Sequence, residues 1–425
     1  MPRSVRMALA GGVLVFAGAF AASLQTTASA LLPPDASLSP ASVQSVTTTT
    51  RREKPVDGLG TFRFDTFEDE QLWTKVLRMH EAISSVSPET ALGVGLKVDV
   101  EALPDTLIQA LRAGQVDLTD PSVTLELLRL DAVVGIVGKI DDTGQLVSVG
   151  TTCALCHSTV DNSFSTGIGK RLDGWPNRDL NVGAILGLSP GLSDALKAEF
   201  STWGPGKYDP RHHAFDGTNI ILLNSPTLPV LLPPVYGLQG VGFETYTGDG
   251  PISYWNSYVG VSQMGGQGNF EDSRIGLTIK QKPDRVTPKL PALLEYQLSL
   301  AAPAPPAGSF DAAAAMRGER VFHGKADCAR CHPPPTYTDV SSGPDPTVPV
   351  LHDAAEVGAE PFYAARSATG RYRASPLRGI WQHPPYFHDG SAADLASVVD
   401  HYDRVFRLNL SPRQKADLVE FLKSL

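Results

Sequence analysis

Two short strings, Cys153-Ala-Leu-Cys156-His157 and Cys328-Ala-Arg-Cys331-His332, contain all four cysteines of the 425-residue chain. In an exported protein four cysteines ordinarily suggest two disulfides, and the Cys-x-x-Cys spacing also suits a redox dithiol or half of a zinc site. Neither alternative accounts for a histidine directly after both pairs. Covalent haem attachment does: two thiols add across the porphyrin vinyl groups, and the next residue supplies the proximal imidazole to iron. The strings therefore predict two covalently bound haem c groups, attached through Cys153, Cys156, Cys328 and Cys331, with His157 and His332 as iron ligands.

The compartment agrees with that chemistry. The chain opens MPRSVRMALAGGVLVFAGAFAASLQTTASA, with Arg3 and Arg6 as a basic start, an apolar run over 7–24, and Ala28-Ser29-Ala30 as a cleavage site. Residues 1–30 thus read as a signal peptide rather than a retained anchor, and the mature protein is expected to be periplasmic or secreted and not integral to the membrane. Cleavage removes two arginines and no acid, making the formal charge of −9 more negative by two. Such an acidic chain is not a nucleic-acid partner, but its charge permits docking to a small basic redox protein as electron donor or acceptor.

The elements that must position the two strings follow. Residues 31–58 are Pro/Ser/Thr-rich and read as a flexible lead-in, and 59–300 form an enlarged N-terminal haem domain. Residues 301–309 form a Pro/Ala linker, leaving 310–425 as one small cytochrome c domain. In this last segment the Ala-rich 311–324 predicts a helix leading into the haem loop. Ser411-Pro412 supplies an N-cap and a first-turn proline for a terminal helix with Leu418, Phe421, Leu422 and Leu425 on one apolar stripe. In the first segment, 127–142 reads as helix then strand, 145–153 leads into the haem loop, and 167–183 has the Gly, Pro and Asn density of a long ordered loop. The expected fold is mainly α: two cytochrome-c-like haem domains, the N-terminal one enlarged by long loops and a few short strands.

A weak internal repeat aligns Tyr386-Phe387-His388-Asp389-Gly390 with Tyr246-Thr247-Gly248-Asp249-Gly250, each well after its own haem loop. The string SPLRGIWQHPPYFHDGSAADLASVV (375–399) resembles the C-terminal domain of bacterial di-haem cytochrome c peroxidases and the related MauG-type enzymes, which carry an LRN…PYxHDGS…L…VV stretch at this place. Over 59–300 the similarity is loose, and FRFDTFEDEQLW (62–73) and TGDGPISYWNSY (247–258) are more distantly similar to RoxA-type rubber oxygenases.

The resemblance implies peroxide or dioxygen chemistry and a distal ligand fourteen residues beyond the PYxH histidine. That ligand is methionine in the peroxidases and tyrosine in the MauG type; here the position is Tyr402, beside His401, with His388 as a competitor. The same count from Gly248 reaches Ser262, two residues before Met264. Of the three methionines beyond residue 30, Met79 and Met316 being the others, Met264 is the best-placed thioether, and His80 is the alternative. Lys170, Arg171, Arg178 and Arg378 are candidates to hold haem propionates, against ordinary pairing of the first three with Asp173 and Asp179. Trp175 and Trp255 could relay electrons between haems, as the resemblance implies, and Glu244 or His388 could serve as acid or base. His212, His213, His323 and His352 read as surface or structural residues.

The expectation is an exported di-haem c-type cytochrome that transfers electrons, with peroxidase-like chemistry on hydrogen peroxide at one haem. A non-enzymatic electron carrier and a haem oxygenase acting on an organic substrate are the alternatives.

Overall fold

A computed structural model describes residues 57–223 and 226–425. The expected signal segment, and the lead-in apart from its last two residues, lie outside the described residues. Among the described residues no helix is long and apolar enough to cross a membrane.

The first Cys-x-x-Cys-His loop is delivered by a β-hairpin. Ile136–Ile140 pairs antiparallel with Leu146–Thr151, the two joined through a turn in which the Asp141 carboxylate accepts N–H groups of Thr143 and Gln145. The apolar and β-branched residues of these strands bury one end of the hairpin and lead straight to Cys153. Two contacts lock the exit. The fully buried Asp69 carboxylate takes the backbone N–H of Thr151 at 3.0 Å and its hydroxyl at 2.6 Å. Thr152 N–H donates to the Gly135 carbonyl, and Gly135 (φ 80°) runs so close to the backbone of Leu155 that no side chain fits there.

Strand content in the first segment exceeds the few short pieces expected. Six two-stranded pairings lie between Val98 and Lys280, one parallel (Val98–Asp99 with Ile168–Gly169) and five antiparallel. Part of the segment read as a long loop is paired: Arg171–Asp173 runs antiparallel to Ser158–Val160. The pairings are isolated, the longest strand having six residues, so helices and loops still frame the molecule. Two large apolar clusters form the core here, one around Trp73, Leu155, Phe200 and Trp203, the other around Phe62, Trp255, Tyr258 and Met264.

The C-terminal segment follows its pattern closely. Ala312–His323 is a helix whose Asp311 side chain accepts N–H groups of Ala313 and Ala314. Pro412–Lys423 begins with a reciprocal capping box between Ser411 and Gln414. The two helices pack against each other through Phe322 and Phe421 (ring centroids 5.1 Å apart) and through the Arg317–Asp417 ion pair at 2.6 Å. Gly318 makes the crossing possible, because a Cβ there would run into the Asp417 carbonyl. Alanine at position 318 gains about 1 kcal/mol of helix propensity. The clash, however, is with backbone that moves only if the helices part, and overpacking of this kind costs about 1–3 kcal/mol. Gly318→Ala is expected to lower the melting temperature; an unchanged or higher value would mean that the helices separate freely.

The two segments share an extensive boundary. Arg366 pairs with Asp209 at 3.1 Å, Arg373 with Glu244 at 3.0 Å, and the Leu231 N–H donates to the His388 carbonyl at 2.7 Å. The Pro/Ala stretch is fastened rather than loose: Trp381 Nε1–H donates to the Pro303 carbonyl at 3.2 Å.

Candidate functional site

At the C-terminal loop, Cys328–Arg330 make a 3-10 turn, and the His332 N–H donates to the Cys328 carbonyl at 2.8 Å. His332 Nδ1 lies 2.9 Å from the Tyr337 carbonyl. A carbonyl only accepts, so Nδ1 carries the proton, and the ring also bonds to the Ser375 backbone. Burial lowers the proton affinity of this imidazole and raises the Cys328 thiol to about 12, so both groups are neutral. Cys328, Cys331 and His332 all line a cavity of about 510 Å³, a volume within the range of cofactor sites.

The first loop repeats the local arrangement. His157 Nδ1 donates to the Pro233 carbonyl at 3.0 Å, no other hydrogen bond of this ring to a described residue is formed, and burial lowers its pKa to about 4. The thiols of Cys153 and Cys156 are pushed up to about 12, also by burial. They face different clusters, Cys153 packing with Trp255 and Met264, and Cys156 with the cluster of Phe200 and Trp203. None of the four cysteines forms a disulfide.

One strip connects the loops. Pro233, whose carbonyl holds His157, also lines the C-terminal cavity together with Pro234, Tyr236 and Leu238. The strip is fixed on both sides: Leu231 N–H donates to His388, and Val235 N–H donates to Gly174 at 2.9 Å. The cavity that Cys328 and Cys331 line is thus walled partly by Pro233, Pro234, Tyr236, Leu238 and Tyr246. Expressed alone, residues 310–425 are expected to lose haem or to hold it exposed to water. A fragment whose absorption spectrum and midpoint potential match those of the C-terminal site in the intact protein would overturn this.

Three distal candidates converge on the same cavity. His388 is buried, its Nε2 2.8 Å from Glu360 Oε1 and 3.3 Å from the Tyr372 hydroxyl. His401 donates Nε2–H to the Val357 carbonyl at 2.9 Å. Tyr402, on the helix Leu395–Val405, stacks on Phe406 and meets the rings of Phe387 and His401. Its hydroxyl makes no hydrogen bond to a described residue, and burial raises its pKa to about 12. At the first loop, Met264 ends a π-helical stretch, Val259–Gln263, and its carbonyl accepts Trp73 Nε1–H at 3.0 Å. π-Turns recur at functional positions. His80 lies on Met79–Ile83 with Nε2 3.9 Å from Glu81, outside the cluster that Met264 shares with Cys153.

The backbone moves the repeat by two residues. Left-handed φ values occur at Thr245 and Gly248 and, with the same spacing, at Phe387 and Gly390, so conformation pairs Gly248 with Gly390 rather than with His388. Tyr246 then corresponds to His388, and the two rings do flank one site: the Tyr246 hydroxyl donates to the Leu231 carbonyl at 3.0 Å, and the two ring centroids are 6.1 Å apart. In this register the counterpart of Tyr402 is Gly260, one helical turn before Met264. The tyrosine–aspartate–glycine string misled because it matched residue types, whereas the turn is defined by its two left-handed positions.

The basic candidates separate. Lys170 pairs with Glu101 on the surface, and Arg171 with buried Asp99 at 3.0 Å. The expected partners Asp173 and Asp179 are taken by Arg63 and Lys97 instead. Arg378 is exposed and donates to the Pro335 carbonyl, whereas Arg178 points to the cavity. Trp175 meets Trp381 at 6.0 Å and Tyr236 at 6.4 Å, beside the cavity. Trp255 instead lies under Arg211 and donates to the Glu244 carbonyl. Glu244, raised by burial against the opposing charge of Arg373, pairs with that arginine and is not a free acid or base. His212, His213 and His352 are buried, not on the surface, while His323 is exposed. His352 is held by Asp339 at 3.0 Å, which raises its pKa to about 10. His383 was not singled out from sequence. It lines the cavity with Nδ1 3.0 Å from the Tyr236 hydroxyl, and burial, then the Arg178 charge, lowers its pKa to about 3.

The C-terminal residues fit a covalently bound haem: a thiol pair, a neutral imidazole at the cavity wall, a large cavity and a cation beside it. Comparison with known proteins points the same way. Residues 370–407 match a family described as RoxA-like, cytochrome c-like. MauG, the methylamine utilization protein of Methylorubrum extorquens, is 31% identical over 129 residues, 26% of this chain and 34% of that protein. The cytochrome-c peroxidase IdrP1 of Pseudomonas sp. strain SCT is 29% identical over 147 residues, 26% of this chain and 39% of that protein. The chain thus spans little more than a third of the length of the curated relatives it matches. A solved MauG-like protein associated with microbial copper homeostasis is 22% identical, covering 34% of this chain and 54% of that one, with a TM-score of 0.27. The chain is similar to the MauG and cytochrome c peroxidase group, and that likeness implies covalently bound haem c.

Proposed function

We propose that the protein is an exported di-haem c-type cytochrome that transfers electrons and carries peroxidase-like chemistry at one of its haems. Cys153, Cys156 and His157 would hold one haem, and Cys328, Cys331 and His332 the other. The observation that carries the reading is the pair of motif histidines, each directly after its cysteine pair and each oriented by an Nδ1–H bond to a backbone carbonyl. Such an orientation is what a metal-ligating imidazole requires. A bound haem supplies one-electron redox chemistry and, where a coordination position is open, reduction of hydrogen peroxide.

The remaining assignments rest on which polar atoms are free. Among the C-terminal candidates, the imidazoles of His388 and His401 are engaged and the Tyr402 hydroxyl is not, which favours Tyr402 as distal ligand. Met264 is favoured over His80 at the first haem because it shares a cluster with Cys153. The hydrogen-bonded set of His388, Glu360 and Tyr372 can hold a proton at the cavity wall, although burial works against the Glu360 charge; N–H and O–H donors hold its pKa below the usual value. Trp175, between Trp381 and Tyr236 and bonded into the first loop's own segment, is the side chain best placed to pass electrons between the sites. A small redox protein would be the electron partner.

Mass spectrometry of the exported protein should show two haem masses added to the chain. An unmodified chain with two disulfides would sink the reading. In the oxidised holoprotein, a thioether ligand gives a weak near-infrared charge-transfer band. Met264→Ala is expected to abolish it, and its persistence would exclude Met264.

A further inference from the structure

We propose that Arg178 is the counter-ion for a propionate of the haem held by Cys328 and Cys331. The inference rests on the di-haem reading and extends it to a residue of the first segment. Arg178 lines the C-terminal cavity, and its Nε and Nη1 are buried without a hydrogen-bond partner. Its bonds there are from Nη2 to the His383 carbonyl, at 3.3 Å, and to the Tyr246 side chain, a neutral partner. No carboxylate among the described residues forms an ion pair with it.

The neighbours make this unusual. Of the carboxylates that line the cavity, Glu360 is bonded to His388 and Asp389 accepts the Ser391 N–H, and neither these nor Asp327 pairs with Arg178. The surroundings of Arg178 are rings: its charge acts on Tyr236, Tyr246, Tyr386 and His383. Of the cavity's other arginines, Arg373 pairs with Glu244, Arg378 is held by the Pro335 carbonyl and the Tyr337 ring, and Arg330 is exposed to solvent. Arginine does not deprotonate in proteins, and a buried guanidinium without an anion is strongly unfavourable. A guanidinium that lines a cavity fit for a porphyrin and lacks an anion matches a carboxylate, and the carboxylates a haem brings are its propionates.

The origin of Arg178 gives the assignment a consequence. Gly174 N–H donates to the His157 carbonyl at 2.8 Å and Asn177 N–H to the Cys156 carbonyl at 2.9 Å. Residues 174–178 are therefore clasped to the first haem loop while presenting Arg178 to the second cavity. Seating of the C-terminal haem then depends on an element that the first loop holds in place.

The test uses the full-length exported holoprotein. Haem mass reports the di-haem reading, and the two midpoint potentials report Arg178. Arg178→Gln is expected to keep both haems and to lower the potential of the C-terminal haem, because a nearby cation favours the added electron. The potential of the first haem should not move, and Arg178→Lys should fall between Gln and the unsubstituted protein. An unchanged C-terminal potential with both haems attached overturns the proposal and leaves the haem reading intact. Equal shifts at both haems, the mark of a displaced 174–178 segment, also overturn it. A missing second haem mass in the unsubstituted protein overturns both. If Arg178→Gln fails to accumulate, resonance Raman spectroscopy of the unsubstituted holoprotein decides. Propionate-bending bands at the ion-paired position support the proposal, and bands only at the free-carboxylate position overturn it.

Discussion

The double substitution Cys328→Ser/Cys331→Ser is expected to remove one haem mass from the exported protein and to leave the other attached. Serine hydroxyls do not form the thioether, and without two covalent bonds only His332 would tether the porphyrin. The chain itself should survive, because both thiols are only partly buried and line a cavity, and only Cys328 also packs against the small C-terminal apolar cluster. The matching substitution Cys153→Ser/Cys156→Ser should behave differently. Those thiols are partly buried too, but they pack against the two main apolar clusters of the first segment. A buried hydroxyl without a partner costs about 1–3 kcal/mol, so two of them consume much of the stability of a marginal fold. The first pair is therefore expected to lose both its haem and most of the accumulated protein. Equal yields and one haem lost from each variant would contradict the difference in packing.

This asymmetry was hidden in the sequence, where the two strings look alike. What could be read was local. The helix over 312–323, the Ser411-Pro412 start of the last helix and the strand leading to Cys153 each depend on neighbours in the chain, through capping, proline placement and alternation. The cavity depends on distant segments. Its wall at 233–238 reads in sequence as a proline- and glycine-containing loop, and nothing local says that Pro233 faces one haem site while bonding the histidine of the other. His383 sits in a proline-flanked turn without periodicity, and its role shows only when Tyr236 arrives from the other segment. Arg178 was named among four basic candidates, but its lack of an acidic partner is a property of the packed molecule. The repeat was visible and its register was not, because left-handed turn positions at Thr245 and Phe387 carry no glycine to mark them.

Tyr402→Met is expected to raise the midpoint potential of the C-terminal haem by on the order of 100 mV or more, well inside the roughly 0.8 V over which axial ligands set haem potentials. Burial raises the Tyr402 pKa to about 12, so in the protein alone the hydroxyl keeps its proton. Only a strong Lewis acid at the cavity would draw it into the phenolate form, and ferric iron binds that form far better than ferrous iron. An anionic oxygen ligand therefore holds the potential low, whereas a thioether favours the reduced state. Methionine suits the space, being unbranched and flexible enough to fill the gap left beside Phe387 and Phe406. With Met264 at the first haem, the unsubstituted protein should show two well-separated one-electron steps, the C-terminal haem being the lower. In the variant the steps should converge. Half-reduction of the unsubstituted protein then places the electron on the first haem and leaves the C-terminal haem ferric. Under the proposed function that haem, beside the hydrogen-bonded His388, Glu360 and Tyr372, would be the site for peroxide. Redox titration with optical and EPR detection checks each step. Coincident potentials in the unsubstituted protein, or a C-terminal potential unmoved by Tyr402→Met, would remove both the ligand and the division of labour between the two haems.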